Sequence, residues 1–533
     1  MWSLLETRAA THGDAPFVTW QPFDEAAVTY SYVELARQAA AVGAGLSARG
    51  VSAGDRVLIH LENCPEFIVA WFGCAAIGAV AVTTNSRSAV DEMAYYADHC
   101  GAVGAITQPK LAEIVGKAAP NIGWIAVIDH DQGVPAGPGS RPDGTDRFDA
   151  LLGDPDDLVA APIDPAASMS VQYTSGTTSR PKGVLWTHAN ALWGAKVTSR
   201  NQDLRPSDCH LIYMPLFHTN ALGYSLLPTL WTGGRCVLIP KWSTSRFWDI
   251  SLRHQCTWAS LIGLSIQAIR QSEIPDGHSY RMFGSGVCDV PILPEVPKLL
   301  GWWGMTETIT QPIVGDPNVP NRPLSMGRAS PEYGIAVVRD DGSNVEPDET
   351  GNLLVYGTPG LSLFAEYLFN PEATRDSFDE RGWFRTGDLV TPHADGHITF
   401  ADRAKDMLKV GAENVAASEI ERVIMEVPGV LEAAAVGRPD AALDEVPVVF
   451  AMGDADPGPL ADAILDTCRR KLADFKVPRD VYVMRELPRS TLRKVNKAAL
   501  RAVVGPDADR SAAEAQWIEQ SAIDPSGEAS STD

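Results

Sequence analysis

Between Tyr173 and Gly183 the chain reads YTSGTTSRPKG, which sets the hydroxyls of Thr174, Ser175, Thr177 and Thr178 around Gly176 and closes on Lys182. Glycine lets backbone N–H groups approach an anion, the hydroxyls add donors, and a lysine supplies a point charge suited to phosphate oxygens. The segment is not a Walker A loop, because no Gly-Lys-Ser/Thr follows the glycine at that spacing and Pro181 stands directly before Lys182. Taken alone, such a loop reads equally well as a surface turn. Its companions decide between the two.

Those companions, in order, are MPLFHTNAL (Met214 to Leu222), GWWGMTET (Gly301 to Thr308), RGWFRTGDL (Arg381 to Leu389), DRAKDMLKVGAENVAASEIE (Asp402 to Glu421) and LPRSTLRKVNK (Leu487 to Lys497). Together with the phosphate loop they resemble the signature motifs of the adenylate-forming acyl-CoA synthetases, a family that also contains firefly luciferases and peptide-synthetase adenylation domains. The resemblance runs from about Trp2 to Arg501. It implies an α/β chain with a large N-terminal domain of layered α/β subdomains (1–404) and a small, mobile α+β C-terminal domain (405–504), hinged at Lys405.

A carboxylate is a poor acyl donor. Attack of its oxygen on the α-phosphorus of ATP expels pyrophosphate and gives an acyl-adenylate, whose leaving group in the next step is AMP; catalysis is then positioning and charge neutralisation. The resemblance implies ATP, Mg²⁺ and coenzyme A as cofactors and a small carboxylic acid, or its adenylate, as substrate. Thr306 resembles the phosphate-contacting threonine and Glu307 the Mg²⁺ ligand; one carboxylate suffices where phosphates and water complete the octahedron. Trp303 stands where a tyrosine usually stacks on adenine. Asp388 resembles the aspartate that accepts from the ribose hydroxyls, and Arg403 the basic residue that also reaches the ribose. Lys494 resembles the lysine that follows charge from the carboxylate to the α-phosphate as the domains close. Gly411 would line the pantetheine tunnel, and His218 would gate it. Five of these have a plainer reading: a turn aspartate after Gly387 for Asp388, an exposed lysine in a basic stretch for Lys494, a core histidine for His218, and a threonine-capped helix start for Thr306 and Glu307.

Two positions depart from the family pattern, and both serve the adenylation half-reaction. Ser179 replaces a glycine of the phosphate loop, where a Cβ costs roughly 1–2 kcal/mol if φ is positive. Arg493 replaces the glycine before Lys494, adding bulk to a loop that must enter a crowded site. The positions implied for thioesterification are intact. Two readings follow: a complete two-step ligase, and a chain that mainly thioesterifies an adenylate supplied by a separate adenylating enzyme. Loading of a carrier protein and a non-catalytic acyl-nucleotide sensor are the alternatives, although a sensor would be expected to lose Lys494 or Glu307. Oxygen chemistry of the luciferase kind has no residue signal.

The acid is expected to be hydrophobic, since Trp193, His218, Asn220, Trp258, Ser285, Val287 and Cys288 lie in segments near which the family builds its acyl pocket. The Ala/Arg/Asp-rich usage suggests a high-GC bacterial source and a natural-product acid.

Positioning such groups needs a large framework, and 533 residues at 45% hydrophobic content allow more than one domain. Thr29 to Val51 reads as an amphipathic helix closing near Gly50, Asp55 to Leu61 as the buried strand after it, and Phe67 to Val82 as a buried helix followed by a strand. The apolar run is too short for a membrane span, and the N-terminus lacks a secretory pattern, so a cytoplasmic protein is expected. The 8 cysteines are scattered singly, which predicts reduced buried thiols. His393 and His397 flank Gly396 in a predicted turn, so no structural metal is expected there. A net charge of −23 argues against nucleic acid. Residues 469–501 are nonetheless basic, which reads either as a solvated helix face or as an anion site. Beyond Arg501 an acidic, Ser/Ala/Gly-rich tail (505–533) reads as disordered.

Overall fold

A capping box opens the helix Tyr32–Ala48: Glu34 N–H donates to Ser31 Oγ at 3.2 Å and Ser31 N–H donates to Glu34 Oε2 at 2.8 Å. Gly50, at φ 84°, follows its end. The next helix, Pro65–Ile77, buries every residue except Glu66, so it lies within the core and shows no polar face. The two helices touch at Gly43 and Gly73. A Cβ on Gly73 would stand 2.7 Å from Val42 Cγ1, so the crossing requires a bare backbone there. The helix expected over residues 29–51 spans only Tyr32–Ala48, because Val28–Ser31 is a strand that ends at the Ser31 cap, while the helix-then-strand expectation for 67–82 matches, with strands at Arg56–His60 and Val80–Thr83.

In this computed structural model the described residues are 1–137, 139–174, 181–288, 298–403, 406–410, 413–440, 443–453, 455–472, 474–489 and 495–504. Ser175, Gly176, Thr177, Thr178, Ser179, Lys405, Gly411, Arg493, Lys494 and the tail lie outside them, as does the side chain of Arg403.

The chain divides into two compact units, the first comprising Met1–Glu349, Leu353–Thr386 and Pro392–Thr399. Two large mixed sheets build it. One runs, by neighbour, Glu366–Tyr367, Lys182–Thr187, Ser168–Thr174, Val80–Thr83, Arg56–His60, Ala102–Thr107, Ile125–Val127 and Asp146–Arg147. The other places Leu299–Trp303, Met282–Ser285, Trp258–Ser260 and Cys209–Ile212 side by side and parallel. Such parallel strands are buried on both faces, which explains their unbroken apolar runs. An ion pair aligns two of them at their starts: Arg281 Nε donates to Asp208 Oδ1 at 2.7 Å and its Nη2 to Oδ2 at 2.5 Å.

The second unit gathers Thr350–Asn352, Gly387–Thr391 and the described residues from Phe400 on. The antiparallel ladder Val430–Asp440 with Asp444–Gly453 is its spine, the strand Asp480–Met484 adds in parallel, and helix Ala417–Ile424 packs Ile420, Val423 and Ile424 beneath. The basic run does not stand out as a free cationic surface. Lys471 pairs with Glu426, Lys476 with Glu419, Arg489 with Glu432, Lys497 with Glu421 and Arg501 with Asp406, so the anion-site reading of this stretch loses most of its charge to neighbouring carboxylates.

Among the described residues no helix is long and apolar enough to cross a membrane, and no group of three or more His, Cys, Asp or Glu is placed to hold a metal ion. All eight cysteines are free and buried. His393 and His397 belong to a tight turn, with His393 N–H donating to the His397 carbonyl at 2.8 Å and Gly396 at φ 81°.

Candidate active site

The phosphate loop hangs from a hairpin. Strands Ser168–Thr174 and Lys182–Thr187 pair antiparallel with Thr174 opposite Lys182, so both loop ends are fixed by main-chain bonds, and Thr174 Oγ1 also donates to the Lys182 carbonyl at 3.4 Å. Aromatic rings brace the stem. Tyr95 donates to the Pro181 carbonyl at 2.9 Å, Tyr173 OH lies 2.8 Å from His99 Nδ1, and the Tyr96 and Tyr173 rings sit 4.3 Å apart.

Thr306 and Glu307 do not start an α-helix. They form a single 3₁₀ turn, Thr306–Thr308, hung on four donors from distant parts of the chain. Trp186 Nε1 donates to the Thr306 carbonyl at 2.9 Å, Phe364 N–H to that of Glu307 at 2.8 Å, Tyr333 OH to that of Thr308 at 2.7 Å, and Tyr224 OH to that of Thr310 at 3.2 Å. Directly after the turn, the fully buried Ile309 adopts φ 65°, an outlier for a β-branched residue that costs of order 1–3 kcal/mol. Surrounding bonds hold that strain, which fixes where the preceding two side chains point.

Their side chains reach two polar clusters. Thr306 Oγ1 accepts from Thr219 Oγ1 at 3.2 Å, and Thr219 also lies 2.9 Å from Gln172 Oε1, one residue before Tyr173 in the loop stem. The Glu307 carboxylate is 4% exposed, and Tyr367 OH donates to its Oε1 at 2.9 Å. Lys182 Nζ sits 4.5 Å from the Tyr367 ring centroid, a cation–π contact that places the loop's closing cation beside the carboxylate's partner. Burial and then the Glu307 charge push the Tyr367 hydroxyl far above its usual range, and they do the same to Tyr224, so both remain proton donors at any working pH.

The structure therefore brings Thr174, Lys182, Thr306 and Glu307 together. His218 caps the short helix Thr219–Ala221, half-buried, with its ring 4.5 Å from Phe217. Trp303 is the last residue of the strand Leu299–Trp303, paired with Ile313 and 7% exposed. Asp388 falls in the second unit at 1% exposure, on the strand Phe384–Pro392 after Gly387 at φ 73°; it is not an exposed turn residue. Sequence reasoning passed over Tyr367, Thr219 and Gln172. Tyr367 sits on a two-residue strand that pairs with Lys182–Thr187 across more than 180 positions, and no local pattern marks it.

Glu307 beside the threonine hydroxyls fits Mg²⁺, a hard cation that takes one or two carboxylates and fills its octahedron with phosphate oxygens and water. The sole described carboxylate of the turn is held in one orientation by Tyr367, as ligating carboxylates commonly are.

Comparison with known proteins gives a consistent result. Residues 5–368 match the AMP-binding enzyme family and residues 419–494 the AMP-binding enzyme C-terminal domain. A crotonobetaine/carnitine–CoA ligase of Salmonella paratyphi C (strain RKS4594) is 31% identical over 520 residues, covering 94% of this chain and 98% of that one. Its counterpart in Proteus mirabilis (strain HI4320) is 31% identical over 491 residues, covering 89% and 93%. Among solved structures, the anthranilate CoA ligase AuaEII in complex with anthranoyl-AMP superposes with a TM-score of 0.84 at 25% identity, covering 95% of this chain and 97% of that one. The o-succinylbenzoate CoA synthetase MenE of Bacillus subtilis, in complex with ATP and magnesium ion, gives 0.78 at 26% identity, covering 93% and 98%.

Proposed function

Because this chain belongs to the AMP-binding enzyme family and is an AMP-forming acid–thiol ligase, we propose that it makes the CoA thioester of a hydrophobic carboxylic acid, with the thioester-forming half-reaction the stronger of its two. The observation that carries the ligase reading is the Lys182–Tyr367–Glu307 arrangement beside the Thr306–Thr219–Gln172 hydroxyl cluster. A cation, an oriented carboxylate and hydroxyl donors converge where a triphosphate must be neutralised.

In the first step the acid's carboxylate oxygen attacks the α-phosphorus and pyrophosphate leaves with its electron pair. Lys182 and the loop hydroxyls, Ser175, Thr177 and Thr178 with Thr174, neutralise the β/γ-phosphates, and Thr306 donates to a phosphate oxygen. Glu307 would hold Mg²⁺, which when bound would supply charge neutralisation on the phosphates. Tyr367 keeps that carboxylate aimed. Lys494 supplies the cation at the α-phosphate, while Trp303 offers a flat face to adenine and Asp388 with Arg403 holds the ribose. In the second step the CoA sulfur attacks the acyl carbonyl and AMP leaves; the small domain turns about Lys405, Gly411 leaves the thiol's path open and His218 gates it.

The uneven split rests on Ser179 and Arg493, which change two loops of the first step while the residues assigned to the second are unaltered. The acyl-adenylate would then reach this enzyme partly from a separate adenylating enzyme in the same cytoplasm. Pyrophosphate exchange with a panel of acids measures the first step, and thioester mass from synthetic acyl-adenylate plus CoA measures the second. Slow exchange with fast thioester formation is expected, and Ser179→Gly with Arg493→Gly should raise exchange. Rapid exchange by the unaltered enzyme would leave an ordinary two-step ligase; absence of both exchange and thioester would overturn the ligase reading.

A further inference from the structure

We propose that the helix Val90–Cys100 is a clamp that holds Thr174 and Lys182 in place for the outer phosphates of ATP, with Tyr95 and His99 as positioning residues that serve a triphosphate and not AMP. The inference deepens the reading of Thr174 and Lys182 as phosphate contacts and rests on it. These two residues form the last rung of their hairpin, and the end of a ladder is where pairing is loosest. The side-chain bond across the rung, from Thr174 Oγ1 to the Lys182 carbonyl, is a long one at 3.4 Å. Support comes from the residue before each. Tyr95 OH donates to the carbonyl of Pro181, directly before Lys182, at 2.9 Å. Tyr173, directly before Thr174, has its hydroxyl 2.8 Å from His99 Nδ1 and 3.4 Å from the Tyr96 carbonyl. Tyr95 and His99 stand four residues apart on one helix face with their rings at 5.2 Å, so a single helical turn grips both ends of the phosphate segment.

The helix is itself fixed, because Met93, Tyr96 and Cys100 are buried in one core cluster with Val171 and Leu185 of the hairpin strands. Its start is tied by Ala89 N–H donating to Glu92 Oε2 at 3.1 Å, and Gly101 closes it at φ 58°. A third contact links the clamp to the far side of Lys182. The His99 ring meets that of Phe369 edge-on at 6.2 Å and 63°. Phe369 is 63% exposed and adopts φ 53°, a left-handed conformation that a bulky residue keeps only where its surroundings impose it. Two residues earlier stands Tyr367, whose ring centroid lies 4.5 Å from Lys182 Nζ. His99 therefore joins the entry of the phosphate segment to the turn behind the aromatic partner of its closing lysine. Burial holds His99 below its ordinary range and raises the Tyr173 hydroxyl, so the two meet as neutral groups. Charge-assisted bonds to phosphate weaken steeply as their geometry drifts, whereas AMP carries none of the outer phosphate oxygens.

The test compares Mg·ATP with AMP by calorimetric titration of the full chain. Tyr95→Phe removes one hydroxyl, and His99→Leu keeps the bulk while removing the ring nitrogens. Each should lower the ratio of Mg·ATP affinity to AMP affinity by about fivefold, as the loss of one hydrogen bond would. His99→Asn, whose amide stands where Nδ1 stood, should restore most of that ratio. An unchanged ratio in either Tyr95→Phe or His99→Leu, or no recovery in His99→Asn, would overturn the proposal. Equal losses for the two nucleotides would overturn it as well, because they would mark the helix as a general prop of the fold. Lys182→Ala separates failure of the underlying reading: if that variant leaves the ratio intact, Lys182 is no phosphate contact, and the proposal falls with that reading.

Discussion

Tyr367 donates its hydroxyl hydrogen to Glu307 Oε1 at 2.9 Å, and the two residues are 60 positions apart on elements that share no sheet. The tyrosine is carried by a strand of two residues that pairs with Lys182–Thr187 and so places the ring beside it. Removing the hydroxyl tests its role. Tyr367→Phe should weaken Mg·ATP binding by about tenfold, in the range seen when a partner of a metal-ligating carboxylate is lost. Calorimetric titration with and without Mg²⁺ measures this, and undiminished binding would take Tyr367 out of the site.

A second prediction concerns acid. Burial holds His60 down at about 4 and His210 at about 3, and among the described residues His210 has a hydrogen-bond partner at neither ring nitrogen. A histidine kept neutral by the fold costs nothing above its unfolded value near 6.5, and below that value the unfolded chain gains a proton that the folded one refuses. Stability is therefore lost as pH falls from about 6.5 toward 4, by about 3 kcal/mol for His60 alone. Melting temperature should drop between pH 7 and pH 5 even though the sequence pI is near 4.9, and His210→Leu should flatten that drop. A melting temperature that peaks at the pI in both proteins would refute this.

The pair between Arg281 and Asp208 gives a third. Burial raises the Asp208 carboxyl, but the bonds from Arg281, Thr257 and the Arg205 N–H outweigh it and leave it below the usual carboxylate range. Arg281→Ala strands a carboxylate that is 6% exposed and should cost about 3 kcal/mol, read as a lower urea midpoint at unchanged slope. Adding Asp208→Asn should recover a large part of that loss. Additive losses in the double variant would mean the two residues act separately.

Lys494→Ala supplies the fourth. Pyrophosphate exchange should disappear while thioester formation from supplied acyl-adenylate persists, if the lysine serves, as proposed, only the step in which charge moves onto the α-phosphate. Equal loss in both assays would contradict the division of labour proposed for the two half-reactions.

What the sequence discloses follows the range of the interactions. Ser31 and Glu34 announce a helix start because both partners of the capping box lie within four residues, and the apolar run after Pro65 announces burial by composition alone. Motif residues such as Thr306 and Glu307 are legible as types, yet the turn they occupy is not. Its geometry comes from Trp186, Phe364, Tyr333 and Tyr224, which arrive from remote segments. The basic run near the C-terminus misleads for the same reason. Glu419, Glu421, Glu426 and Glu432, which neutralise much of it, precede it by some 50 residues and meet it only in the folded unit.

The fit of Trp302 into the notch at Gly284 also constrains the order in which this protein can change. With a Cβ at position 284 only 1.8 Å from the Trp302 indole and 2.8 Å from Trp258 Cζ3, any substitution there is blocked while both rings stay in place, and Trp258 must still give way after position 302 shrinks. Shrinking position 302 first meets no such barrier. Evolutionary or laboratory changes at position 284 therefore pass through position 302 first, and a library that randomises 284 alone would return almost nothing but the parent.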